Sequence, residues 1–298
     1  MPYTLSNLLQ DIYKELGQLN VSTATGGTPT TIVDSKLVNR YGDDDWKEGS
    51  LFVIRDSAGA GASPEGKFER VSAYANSTGT FTIASITNST VSGDTFGFAS
   101  EFYPLYNMIE LANDGLRSLG DVTLVDTTTL EIAANQTEYA AAVAWKRRKP
   151  TRIDIQGRTG DANDNQWYPV DSWEYIPAGA GTTGLIVFRD QLTVGRDLRI
   201  WYVSAHPRLS AYSDVVNEAI HPELASWAGV VKALAWQKKR LGQGADDTIV
   251  QALNEARVEF ERAKAEHPIY RERRRRKVGI VKWTDFDADT DEFRVNPQ

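Results

Sequence analysis

The chain contains no cysteine. That one absence removes disulfides, thiolate-bound metals, iron–sulfur clusters and cysteine nucleophiles, and it leaves the redox compartment open. No apolar run approaches the roughly 18–20 residues needed to cross a bilayer. The start, Met1-Pro2-Tyr3-Thr4, has no basic segment followed by a hydrophobic stretch. A soluble protein with no signal peptide and no membrane partner is expected. Basic charge is also short: 33 Lys and Arg against 40 Asp and Glu leave a net charge of −7. Such a chain is poorly suited to gripping nucleic acid, because neutralising phosphate needs a basic face.

Catalytic signatures are missing too. There is no G-x-x-x-x-G-K-[ST] loop, and no G-x-G-x-x-G follows a strand and opens a helix. No serine sits in a G-x-S-x-G elbow. The three histidines, His206, His221 and His267, are each followed by proline, which places them at element boundaries. Without an H-E-x-x-H helix or thiolates, no metal site and no cofactor is expected. Asp285, Asp287, Asp289 and Asp291 alternate like the start of a calcium loop. The glycine that such a loop needs at position six is Thr290, and its glutamate at position twelve is Asn296. Asp171 and Glu174 could serve as paired carboxylates, but nothing in the sequence fixes their separation. A non-enzymatic protein is expected.

What is present suits a folded protein. Hydrophobic residues make up 41% and charged residues 24% of 298 positions, which is globular composition with enough length for a core in one or two domains. Leu5, Leu8, Leu9, Ile12 and Leu16 fall on one helical face, with Thr4 or Ser6 as N-cap. Leu105, Met108, Ile109, Ala112 and Leu116 do the same between Pro104 and Gly120. Pro222–Leu241 carries a third stripe, and Ile249, Leu253, Ala256, Phe260 and Ala263 step by four and three after the Gly242-Gln243-Gly244 break. That spacing is the seam of an antiparallel hairpin. Between the helices lie two β-rich stretches. Thr31–Val33, Leu51–Ile54, Phe68–Val71 and Thr80–Ile83 are strands in the first; Thr151–Ile155, Trp167–Val170, Gly184–Phe188 and Asp197–Val203 are strands in the second.

A lone amphipathic helix is marginal in water, so the four helices are expected to bury their faces against one another. The fold class expected is α+β: a helical bundle of about four helices with two inserted antiparallel β-modules and an extended C-terminal arm. The bundle would be discontinuous, over residues 1–20, 101–120 and 205–267. The modules would span 21–100 and 121–204, and the arm 268–298.

The sharpest charge feature is the run Arg271, Glu272, Arg273, Arg274, Arg275, Arg276 and Lys277, which sums to +5 and leaves −12 for the rest. As a nucleic-acid patch it lacks interleaved aromatics. As a solvated helix end it gains from the helix dipole. As a docking segment it would set arginine forks against carboxylates of an acidic partner, with Val278, Ile280, Val281, Trp283 and Phe286 as apolar anchors. Aromatics in a terminal arm are costly to leave in water, and this favours docking.

Residues Ile32–Leu37, Asp43-Asp44-Asp45-Trp46-Lys47-Glu48-Gly49, Pro64–Val71, Ser77-Thr78-Gly79-Thr80-Phe81-Thr82-Ile83 and Gly93-Asp94-Thr95-Phe96 resemble a β-module of tailed-bacteriophage structural proteins. There, an aspartate-rich turn precedes a tryptophan and an S-T-G-T hairpin returns. The helical frame and tail resemble the head-to-tail adaptor (connector, or neck) proteins of those phages. The resemblance implies a virion structural protein that docks by its C-terminal segment on the portal protein. It would form a dodecameric ring that joins the portal to neck or tail proteins, with DNA only in passage through the channel. The docking role would fall on the Arg271–Lys277 run and on Val278–Phe286, and the protein would reside in the host cytoplasm during assembly. The two large β-rich stretches depart from the smallest adaptors. The alternative they suit is a head decoration, tail-tip or fibre component, with Trp167, Tyr168, Trp173, Tyr175, Trp201 and Tyr202 as an adhesive surface, although sandwich core is the expected place for these aromatics.

Overall fold

The computed structural model describes residues 2–128, 130–142, 149–157, 166–177, 179, 184–242 and 247–269, together with the strand pieces 286–287 and 292–293. Helix α1 (Leu5–Glu15) opens on a capping box, in which the Thr4 hydroxyl accepts from the Asn7 amide and the Asn7 side chain accepts from the Thr4 amide. It ends at Glu15, with Leu16, the last residue of the apolar face, as its C-cap. Gly17 takes φ +65°, and the amides of Gly17 and Gln18 turn back onto the carbonyls of Lys14 and Tyr13.

Strands β1 (Asn20–Thr23), β2 (Gly26–Thr28), β3 (Thr31–Val33), β4 (Ser50–Arg55), β5 (Phe68–Ala75), β6 (Thr80–Ile83) and β7 (Thr95–Ala99) form one antiparallel sheet in the order β1-β7-β4-β5-β6-β3-β2. The two outer strands, β1 and β2, are consecutive in the chain and separated only by Ala24 and Thr25. The sheet therefore curls until its edges meet at that corner, where the Thr25 amide donates to Val33 and the Ala24 amide to Asp94. Register shifts at Val53/Arg55 and Val71/Ala73 supply the bending. Inside lie Leu51, Val53, Val71, Tyr74, Phe81, Phe96 and Phe98, with Trp46 edge-on to Phe98 at 4.6 Å. The aspartate turn is fixed from below: Asp43 and Asp44 accept from the amides of Asn76 and Tyr74, and Asp45 from that of Gly42.

After helix α2 (Leu105–Ser118), strands β8 (Asp121–Asp126), β9 (Glu138–Ala140), β10 (Arg152–Gln156), β11 (Trp167–Pro169), β12 (Trp173–Ile176), β13 (Leu185–Phe188) and β14 (Leu198–Ala205) follow. They make two sheets, β11-β10-β14-β8 and β12-β13-β9. Ile153, Leu198, Ile200 and Tyr202 of the first face Tyr139, Ile186 and Phe188 of the second across a shared core, which is a small sandwich. Trp173 and Tyr175 pack against that core, whereas Tyr168 is 52% exposed. In both β units the first and last strands pair, Asn20 with Phe98 and Asp121 with Ala205, so chain entry and exit are clamped side by side.

Helices α3 (Pro222–Leu241) and α4 (Asp247–Glu266) form the expected hairpin, with Leu253, Ala256 and Ala263 buried along α4. Helix α3 is central and packs against α1, α2 and α4. The contact with α2 is close: a Cβ on Gly115 would come within 2.9 Å of the Ala228 and Gly229 backbone.

The expectation of a helical bundle bearing inserted β-modules is overturned. Among the described residues, fourteen strands in three antiparallel sheets outweigh four helices, so the molecule is mostly β-sheet. The physical reason lies in what covers the helices. Their core takes in Phe52 of β4, Ala99 of β7 and Val122 of β8, along with Leu209, Val216 and Ile220 from the segment before α3. The apolar faces thus close against sheet and loop as well as against other helices. A pair of two-residue strands, β15 (Phe286–Asp287) and β16 (Glu292–Phe293), completes the elements, with Phe286 opposite Phe293.

Candidate functional site

Of the residues expected to dock on a partner, Arg271, Arg273, Arg274, Arg275, Arg276, Lys277, Ile280, Val281 and Trp283 lie outside the described residues, and Phe286 is described only as the paired backbone of β15. What the structure does describe is the root from which this segment leaves.

That root lies at the open end of the helical hairpin. Pro268 and Ile269, just beyond α4, line a cleft of about 530 Å³ together with Leu119 after α2, Leu224, Ala228 and Val231 of α3, and Phe260 of α4. Lys232 and Lys264 border it.

Beside the cleft three ligand-bearing side chains converge. His221 is the N-cap of α3, its ring accepting from the Glu223 amide at 3.3 Å, and Pro222 provides the first helical residue. His267 directly follows α4, its amide still bonded to the Ala263 carbonyl. The two imidazoles stack with centroids 3.6 Å apart and planes 16° from parallel. His267 Nε2 lies 3.0 Å from Glu223 Oε2, and Glu223 Oε1 accepts from Arg262 Nη2 at 3.1 Å. Arg262 is also held by Glu259 at 2.7 Å and faces Glu266 at 3.6 Å. This fixes the guanidinium and raises its already high pKa through hydrogen bonding and the neighbouring carboxylates. One ligand atom from each of His221, Glu223 and His267, a ring nitrogen or a carboxylate oxygen, lies within 4.8 Å of the other two.

The sequence places each histidine at an element boundary but does not bring them together. A signal was available: His221 precedes a 20-residue helix and His267 follows another of 20 residues. Equal arms of an antiparallel hairpin, each about 30 Å long at 1.5 Å per residue, return the chain to its starting level.

The carboxylates considered for glycoside chemistry lie on the surface. Asp171 and Glu174 are exposed at the edge of the sandwich, and Glu174 faces Arg189 at 3.9 Å. The buried carboxylate of this unit is instead Asp154, on the face of its sheet opposite the core residues Ile153 and Ile200, which accepts from Arg152 at 2.5 Å, Arg199 at 3.0 Å and the Trp201 indole at 2.9 Å. Arg199 in turn stacks over Trp167 at 4.6 Å.

No known protein family matches the chain, and no curated protein matches it either.

Proposed function

We propose that the chain is a virion structural protein of the head-to-tail adaptor type, acting through protein–protein contact. What carries the reading is the division of charge and anchoring. The segment that follows Ile269 holds the +5 run and the apolar anchors Ile280, Val281, Trp283 and Phe286 and nets +2 over residues 270–298, while residues 1–269 sum to −9. The root of that segment is seated on a rigid hairpin, which gives a docking tail a fixed point of departure. An acidic body suits a ring through which DNA must slide without being gripped. Large exposed apolar residues on helix faces, Tyr106 at 61% and Val258 at 68%, suit lateral contact between neighbouring copies.

Portal protein mixed with the chain should yield a complex of the portal with a dodecameric ring in native mass spectrometry. Substituting Arg273, Arg274, Arg275 and Arg276 together by alanine should abolish that complex, and raised salt should weaken it. Portal binding that survives the fourfold substitution would overturn the docking role.

The exposed Tyr168 and the half-buried Trp167 on edge strand β11 favour one alternative, a decoration, tail-tip or fibre protein with an adhesive sandwich. Copy number per particle separates the two: a dozen for the adaptor, hundreds for decoration, three or six for a fibre or tip.

A further inference from the structure

We propose that His221, Glu223 and His267 form a binding site for a divalent transition-metal ion of the zinc type, which clips the open end of the α3–α4 hairpin. The proposal stands independently of the adaptor reading.

The donor set selects the ion. Two imidazoles and one carboxylate suit a borderline cation such as Zn²⁺ or Co²⁺ and leave a coordination position for water, whereas Mg²⁺ and Ca²⁺ prefer oxygen alone. The spacing fits: with metal–ligand bonds of about 2.0 Å at the tetrahedral angle, neighbouring ligand atoms sit about 3.3 Å apart. His267 Nε2 and Glu223 Oε2 are 3.0 Å apart, and all three groups lie within 4.8 Å. Adjustment falls on the rings. Stacked imidazoles point their lone pairs alongside each other, so metal entry turns them out of the stack. His221 is exposed and has room to turn.

The surroundings are arranged as an outer shell. Arg262 holds the second oxygen of Glu223, which aims the first toward His267, as outer hydrogen bonds orient metal-bound carboxylates. Around Arg262 stand Glu223, Glu259 and Glu266. Three carboxylates against one guanidinium leave two negative charges, which a divalent cation cancels. Proline after each histidine restricts its backbone to the extended region, and His221 sits at φ −65°, ψ 140°. Part of the ordering cost is thus met before the metal arrives. Bound metal would join the start of α3 to the end of α4 and fix the root of the C-terminal segment.

The test titrates the full chain, freed of metal, with Co²⁺ and then Zn²⁺. One Co²⁺ per chain should bind with visible absorption of the four- or five-coordinate ion, and Zn²⁺ should displace it. His267→Ala and Glu223→Gln should each lower affinity by about 10–100-fold or more, the range seen even for outer-shell losses. His221→Asn keeps a good N-cap and should lower affinity similarly, which separates lost ligation from lost folding. Zn²⁺ should also raise the melting temperature of the parent chain and not of these variants. Absence of stoichiometric Co²⁺ binding, or binding unchanged in His267→Ala and His221→Asn, would overturn the site.

Discussion

Asp154 sits fully buried between two arginines and an indole N–H, with Ile153 and Ile155 on either side in β10. A charge in that position persists because both carboxylate oxygens accept from charged or indole donors. Asp154→Ala would leave Arg152 and Arg199, each about a quarter exposed at the side chain, facing a void without that counter-charge. Buried pairs broken on one side lose about 3–5 kcal/mol, and partial exposure of the arginines should bring the loss to about 2–3 kcal/mol. Urea denaturation followed by Trp fluorescence would show it, and a midpoint unchanged from the parent would refute it. The sequence could not show this centre, because an aspartate between isoleucines reads as the outward position of a half-buried strand. His206 is a second buried polar residue. Its Nδ1 pairs with the Pro207 carbonyl at 2.7 Å, and its Nε2 accepts from the Asn217 amide at 3.0 Å. Burial lowers its pKa below the ordinary value. The unfolded chain takes up a proton near pH 6.5, whereas the folded imidazole does so only at lower pH, so the unfolded state binds more protons in between. Stability contributed by neutral His206 is present above about pH 6.5 and is lost as pH falls through the lower folded value. A His206→Gln chain should show a flatter fall in urea midpoint between pH 7 and 5 than the parent; equal slopes would remove His206 as the cause.

At the scale of elements, legibility followed periodicity and length. The helices were readable because each repeats an apolar face over three or more turns, and the glycine and proline at their ends punctuate them: Gly17, Pro104, Gly120, Pro222, Gly242. The strands Leu51–Ile54, Phe68–Val71 and Thr80–Ile83 were readable because β-branched and aromatic residues run together. Strands β1, β2, β9 and β12 were not. They are three or four residues long, and β1 and β2 hold only one apolar residue between them, Val21, which is itself exposed. Their strand state comes from pairing with β7, β3 and β13, a tertiary cause invisible to local pattern. The helix–helix contacts were legible only as faces, not as distances. Gly115 is the point at which α2 meets the α3 backbone. A Cβ there would stand 2.9 Å from the Ala228 carbonyl carbon and the Gly229 nitrogen, where backbone must move. Gly115→Ala should therefore destabilise by about 1–3 kcal/mol, the cost of overpacking, despite alanine's better helix propensity. A stabilised variant in thermal denaturation would mean that the helices part without strain.

The whole molecule is three apolar cores joined through shared strands and helices: the curled sheet, the sandwich, and the helical layer that borrows Phe52, Ala99 and Val122 from the sheets. The amphipathic helices suggested a bundle because sequence periodicity shows that a face will be buried and is silent on what buries it. Here sheet and loop residues supplied part of the cover. Ile269 is the last residue packed against any of the three cores among the described residues. A chain ending after Ile269 keeps every described core residue and should unfold in urea at the parent midpoint with an m-value lowered little. The same shortened chain loses the +5 run and turns a net −7 into a more acidic body. On the adaptor reading it should remain folded, assemble with its own kind through the helix faces bearing Tyr106 and Val258, and fail to co-purify with portal. A shortened chain that unfolds early would mean that the segment belongs to the subunit's own stability, and one that still binds portal would move the docking surface onto the body.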